Sequence, residues 1–149
     1  MDALELLKQD HQKVKELFEE AEEAEGKQQQ DIFEQIKSEL ETHARIEETV
    51  FYPAVQKHKE LKDMVLESLE EHKQIKTLLR EIESLASDSE KFEPKFQVLM
   101  ENVEHHAEEE EEGEMFPKIR KMMNKQQLEQ LGAELESAKG QGQKRRKAS

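Results

Sequence analysis

The feature that most constrains this chain is a pair of matching halves, each built from apolar residues at helical spacing. Asp10-His11-Gln-Lys-Val14-Lys-Glu-Leu17 lines up with Glu71-His72-Lys-Gln-Ile75-Lys-Thr-Leu78, and Phe33, Ile36, Leu40, His43 line up with Phe96, Leu99, Val103, His106. The downstream ends match as well, Phe51-Tyr52-Pro53-Ala54 against Met115-Phe116-Pro117-Lys118. Such a repeat predicts a pseudo-twofold pair of helical hairpins, so that residues at matching positions converge on one central site.

The apolar stripes set the helices. Leu4, Leu7, Val14, Leu17, Phe18 and Ala21 recur at helical spacing and predict a first helix that ends near Gly26. A second stripe runs through Phe33, Ile36, Leu40, Val50, Phe51 and Ala54, and a third through Val65, Leu69, Ile75, Leu78, Ile82 and Leu85. The polar run Ser87-Asp88-Ser89 separates it from a fourth, Phe96, Leu99, Val103, Met115, Ile119 and Met122. Four amphipathic helices with short connections pack antiparallel around one core, so the expected fold is all-α, an up-down four-helix bundle over 1–124. A short helix is expected over 125–138, lying across the bundle. Residues 139–149, KGQGQKRRKAS, have no apolar period and read as a disordered basic tail.

Composition agrees. Charged residues make up 40% of the 149 and apolar ones 34%, with one Tyr and no Trp, which suits helices better than sheets. A formal charge of −13 favours solubility and argues against nucleic-acid binding by the main body, because phosphate contacts need clustered Lys and Arg. The absence of cysteine excludes disulfides, thiolate metal sites and Cys nucleophiles together. The N-terminal run MDALELLKQDHQKVKELF is charged throughout, and no segment reaches the roughly 20 apolar residues of a membrane span. The expectation is a soluble cytoplasmic protein with no membrane partner.

Polar residues interrupt these stripes at repeat-related places. His11 lies four after Leu7 and three before Val14, and His72 three after Leu69 and three before Ile75, each on a core face. His43 falls three after Leu40, with Glu47 four further along the same stripe. A glutamate on a core face is rarely tolerated unpaired, so something must compensate it. One such histidine is ordinarily satisfied by a hydrogen bond to a neighbour. Four of them at matching positions, joined by core glutamates, fit the ligand set of bundles that hold two metal ions between carboxylates.

The second half carries His105-His106 followed by five consecutive glutamates. Counting forward from Phe96, Leu99 and Val103 selects His106 as the partner of His43, and counting back six from Pro117 selects Glu111 as the partner of Glu47. The first pair is spaced by four and the second by five, so one residue has been inserted. In a regular helix a residue five along is turned roughly 140° from its start, so His106 and Glu111 can share a metal only if the helix widens locally, as in a π-bulge. Glu110, at spacing four, is the alternative if the helix stays regular. His105, Glu108, Glu109 and Glu112 read as solvated or as supports behind the ligands, and His58 as a helix-end residue near solvent.

These motifs, His43-Ala-Arg-Ile-Glu47 before FYP and HHAEEEEEGEMFP, each with a lone histidine about thirty residues upstream, resemble the hemerythrin-like family, the HHE cation-binding domain, over about Met1 to Lys121. The resemblance implies a four-helix bundle with two non-haem irons, oxo- or hydroxo-bridged when oxidised. His11, His43, His72 and His106 would supply nitrogen, and Glu47 and Glu111 would bridge. Manganese or zinc would also suit such ligands. Oxygen-carrying hemerythrins have one more histidine four residues after the one on the third helix, and here that position is Lys76, with Lys15 at the equivalent place after His11. The expected function is binding of O2, NO or peroxide for sensing, scavenging or storage, with any signalling left to a partner protein. The alternatives are an enzyme that decomposes peroxide or reduces NO, and an iron-buffering module.

Overall fold

The computed structural model describes residues 1–86 and 88–148, the last seven of these by backbone alone. Ser87, in the polar run expected to end the third helix, lies outside the described residues. Helix α1 (Ala3–Glu23) starts on Asp2, whose carboxylate accepts the Glu5 N–H at 2.9 Å. Gly26 turns the chain into α2 (Gly26–Ile46) with φ 59°, a conformation that costs little only without a Cβ. Helix α2 passes without a break through a π segment, Glu47–Phe51, into the short α3 (Tyr52–Val55). After α4 (Lys59–Glu83), α5 (Phe92–Glu104) continues through a longer π segment, His105–Met115, into α6 (Phe116–Met122). His58 sits half-buried at the N-cap position of α4, at a helix end as expected, and makes no side-chain capping bond.

Both π segments stop just short of a proline. The Tyr52 N–H bonds back to the Glu47 carbonyl and the Phe116 N–H to the Glu111 carbonyl, five residues behind in each case. Pro53 and Pro117 have no N–H and their rings crowd the preceding turn, so a widened turn relieves both problems. The widening in the second half is the one that the His106 to Glu111 spacing calls for.

Chain direction can be read from the core. Leu4 and Leu7 lie in one apolar cluster and Val14, Leu17 and Phe18 in another, with His11 between them. Along α2 the order reverses: Phe33, Ile36 and Leu40 belong to the second cluster, then come His43 and Glu47, then Phe51 in the first. Helix α4 runs from Leu61 and Val65 past His72 to Ile75 and Leu79, and α5 from Phe96, Leu99 and Val103 past His106 and Glu111 to Met115. The four rods therefore run up, down, up and down, and a polar layer crosses the bundle between two apolar ones. Phe18, Phe33 and Phe96 anchor the second cluster, with ring centroids 5.3 Å apart for Phe18 and Phe96, and each contributes about 1.5–3 kcal/mol by burial.

Helix α4 departs from the predicted stripe. Leu79 and Ser68 face inward while Leu69, Leu78 and Leu85 are half-buried. The inward stripe is Val65, Ser68, His72, Ile75, Leu79, Ile82, and it runs through two polar residues that an apolar count passes over.

Helix α7 (Lys125–Ala148) is longer than the expected 125–138. It opens on a reciprocal cap, in which Asn124 Oδ1 accepts the Gln127 N–H at 2.8 Å and Gln127 Oε1 accepts the Asn124 N–H at 2.9 Å. Leu128, Leu131 and Leu135 complete the first apolar cluster, and α7 lies against α1, α2 and the first π segment. Gly132 sits against the chain start, where an added Cβ would come within 2.5 Å of the Met1 carbonyl oxygen. Over the described part of the stretch read as a disordered basic tail, 139–148, the backbone is helical, and the Lys139 ammonium meets Asp10. Gln, Lys, Arg and Ala are good helix formers, so an established helix continues through them without an apolar stripe. No described helix is long and apolar enough to cross a membrane.

Candidate metal centre

All six residues singled out in the sequence meet in the polar layer. His43, Glu47, His72, His106 and Glu111 are buried, and His11 is nearly so. His11 Nε2 lies 3.2 Å from His43 Nε2 and 3.1 Å from Glu111 Oε1. Across the layer, His72 Nε2 lies 3.1 Å from His106 Nε2 and 3.0 Å from Glu47 Oε1. Each glutamate reaches both pairs: Glu47 Oε1 is also 3.3 Å from His43 Nε2, and Glu111 Oε1 is 3.6 Å from His106 Nε2. Ligand atoms of His11, His43, Glu47 and Glu111 fall within 4.8 Å of one another, as do those of Glu47, His72 and His106. Tyr52 projects into the same layer and donates its O–H to Glu111 Oε2 at 2.7 Å.

A second ring of carboxylates backs the first, and it follows the repeat. Asp10, just before His11, lies 2.9 Å from His43 Nδ1, and Glu71, just before His72, lies 2.7 Å from His106 Nδ1. Glu48, just after Glu47, lies 2.8 Å from His72 Nδ1, and Glu112, just after Glu111, lies 2.6 Å from His11 Nδ1. Of these, sequence reasoning considered Glu112 and missed Asp10, Glu48 and Glu71. The signal was present in the aligned pairs Asp10-His11 and Glu71-His72, since a matched acid beside a matched core histidine is a paired feature.

This ring decides what the inner atoms need. A carboxylate accepts, so each Nδ1 carries the proton and each Nε2 turns a lone pair inward. Two pairs of lone pairs then face each other at 3.1–3.2 Å, alongside two acceptor-only carboxylates. Glu47 Oε2 is buried with no hydrogen-bond partner among the described residues. A buried cluster of acceptors is costly unless positive charge joins it, and only protons or metal cations fit there.

Without metal, protons take that role. Burial pushes the His43 imidazole down, but the Glu47 charge and the Asp10 contact overcome it and raise its pKa to about 10. His106 is raised well above the usual value, since Glu111 and Glu47 outweigh burial, and His11 and His72 are raised by the carboxylates on either side. Burial opposes ionisation of Glu47, yet the His43 charge holds its carboxyl well below the usual range. Tyr52 is driven well above its usual value by burial and then by the charges of Glu111 and Glu47, so its phenol keeps its proton. Mixed imidazole and carboxylate donors of this kind suit iron, manganese or zinc.

The neighbouring charges fall into place around this layer. Glu111 points into the centre, whereas Glu110 points outward to His105 at 2.9 Å. His105 is exposed and also meets Glu109 at 2.6 Å, and Glu108 lies 3.5 Å from Lys15. Lys76 makes no approach to the inner atoms; its ammonium donates to Glu48 at 2.8 and 3.0 Å, behind His72. Beside the layer is a cavity of about 30 Å³, walled by the four histidines and by Val14, Leu40, Ile75, Leu79 and Val103.

Comparisons with known proteins bear on the family and the fold. The family described as hemerythrin HHE cation binding domain matches residues 2–119. A crystal structure of a hemerythrin HHE cation binding domain-containing protein from Mycobacterium kansasii shares the fold with a TM-score of 0.81 at 26% identity, over 95% of this chain and 89% of that one. Among curated proteins, the chain is 32% identical over 146 residues to a DNA nickase of Nostoc sp., covering 97% of this chain and 41% of that protein. It is 29% identical over 103 residues to a hemerythrin-like protein of Schizosaccharomyces pombe, covering 68% of this chain and 50% of that one. The chain thus spans half or less of the length of these curated relatives. With the family matched over most of its length and a cluster of histidines and glutamates capable of binding metal at its centre, this chain belongs to the hemerythrin HHE cation-binding family.

Proposed function

We propose that His11, His43, His72 and His106, with Glu47 and Glu111 shared between them, hold two iron ions that bind O2, NO or peroxide. The observation that carries this is the buried layer of inward lone pairs, with Glu47 Oε2 lacking any partner while carboxylates fix every Nδ1. When bound, such ions supply redox and Lewis-acid chemistry. The chain's own part is to hold and insulate. Asp10, Glu48, Glu71 and Glu112 fix the histidine tautomers, and Tyr52 keeps one Glu111 oxygen occupied as a donor. The small cavity suits a diatomic species: its far wall is apolar, and its volume is that of about one water molecule.

An enzymatic reading, peroxide decomposition or NO reduction, is favoured by Lys76. That residue stands where oxygen carriers have a further histidine and is engaged with Glu48, so the layer offers one imidazole fewer than theirs and leaves a position open for inner-sphere chemistry. DNA nicking, the activity named for the Nostoc relative, is not part of the proposal, because a chain of net charge −13 offers a poor surface for phosphate. The test is anaerobic loading with ferrous iron, followed by O2, NO and peroxide in turn. A reversible spectral change at a fixed ratio to protein supports binding, many turnovers per chain support the enzyme, and no response to any of the three contradicts both. Uptake far beyond roughly two ions per chain would point to iron buffering instead.

A further inference from the structure

We propose that Lys139 is a positioning residue that couples the C-terminal helix to the metal centre through Asp10 and His43. The inference rests on the reading of His43 as a ligand. It is carried by a contact outside the matched family region, which ends at residue 119. The Lys139 ammonium pairs with one oxygen of Asp10, and the other oxygen lies 2.9 Å from His43 Nδ1. Asp10 is 6% exposed, so it has little water to turn to if either partner leaves. Each carboxylate oxygen is committed to a different helix, and rotating the group toward one partner gives up the other.

The arrangement breaks the repeat. Glu71, the counterpart of Asp10, holds His106 with one oxygen, but its other oxygen faces the exposed His105 at 3.6 Å. Helix α7 has no counterpart between the halves, so among the described residues the His43 side alone receives a lysine from beyond the bundle. Leu128, Leu131 and Leu135 seat α7 on the first apolar cluster, and Lys139 stands one turn past Leu135. Docking of α7 therefore delivers the ammonium to Asp10, and undocking removes it. Because coupling between two equilibria is reciprocal, metal loading and α7 docking must favour each other by the same factor.

The test uses the full chain and Co(II) as the probe. Affinity is measured by chelator competition for wild type, Lys139→Gln, Lys139→Arg, Asp10→Asn and the control Lys125→Gln, and amide exchange over residues 128–138 is followed with and without metal. Asp10→Asn is expected to weaken binding about 10- to 100-fold, the range found for groups directly behind metal ligands. Lys139→Gln is expected to weaken it several-fold, with Lys139→Arg and Lys125→Gln close to wild type. Metal should slow exchange in wild-type α7, and Lys139→Gln should erase that difference. Equal affinity and equal exchange in wild type and Lys139→Gln would overturn the coupling while leaving the metal centre intact. Failure of wild type to take up Co(II) would overturn the metal-centre reading and the coupling with it.

Discussion

At the scale of single residues, the two bridging candidates separate most cleanly. Glu111 is fully buried against His11 and His106, whereas Glu110 faces His105, so Glu111→Gln should lower metal content by about half or more and Glu110→Gln should leave it near wild type. Metal analysis after identical loading decides it. The raised histidines also make a pH prediction for metal-free protein. His43 has its pKa raised to about 10, so its protonated form adds stability that is complete below the unfolded value near 6.5 and is lost as pH rises toward 10. The melting temperature of metal-free protein should therefore fall across that interval, a trend that thermal scans at several pH values will show or refute. Metal needs the same nitrogens without protons, so the gap between loaded and metal-free protein should widen over the same range. His43 and Glu47 were legible in the sequence because a charge on an apolar stripe demands an explanation. Asp10, Glu48 and Glu71 were not, because an acid beside a ligand in a chain that is 40% charged looks like one more solvated residue.

At the scale of elements, the π segment over His105–Met115 turns Glu111 into the polar layer, and it was foreseeable from the spacing of five and the register resumed at Met115 and Ile119. The π segment over Glu47–Phe51 was not foreseen, since His43 and Glu47 at spacing four need no widening. Its cause is local, in Pro53. Helix α7 gives a paired test of packing. Gly132→Ala places a Cβ 2.5 Å from the Met1 carbonyl oxygen and should cost about 1–3 kcal/mol, while Gly140→Ala meets nothing within 4 Å and should gain about 0.5–1 kcal/mol. Thermal or denaturant unfolding of the two variants beside wild type measures both. The end of α7 was hard to read because beyond Leu135 only the small Ala138 packs on the apolar cluster among the described residues, and the hold at Lys139 is electrostatic.

At the scale of the whole molecule, two apolar clusters are joined through a layer that carries four histidines, Glu47, Glu111 and Tyr52. The bundle and its direction follow from the repeat, which is why the four rods and their order were readable. A buried polar layer weakens the fold when its charges lack partners and strengthens it when they are met. Removal of metal by a chelator should thus lower the melting temperature by roughly 10 °C if free metal had been about 1,000 times its dissociation constant, the equivalent of about 4 kcal/mol. The most direct measurement of the central claim is the metal content of protein purified without added metal, beside the double variant His43→Ala with His106→Ala. The account predicts roughly two transition-metal ions per chain, chiefly iron, in wild type and almost none in the double variant. Wild type with no metal, and none taken up from ferrous iron under anaerobic conditions, would contradict it and leave the histidines and glutamates as a layer held together by protons alone.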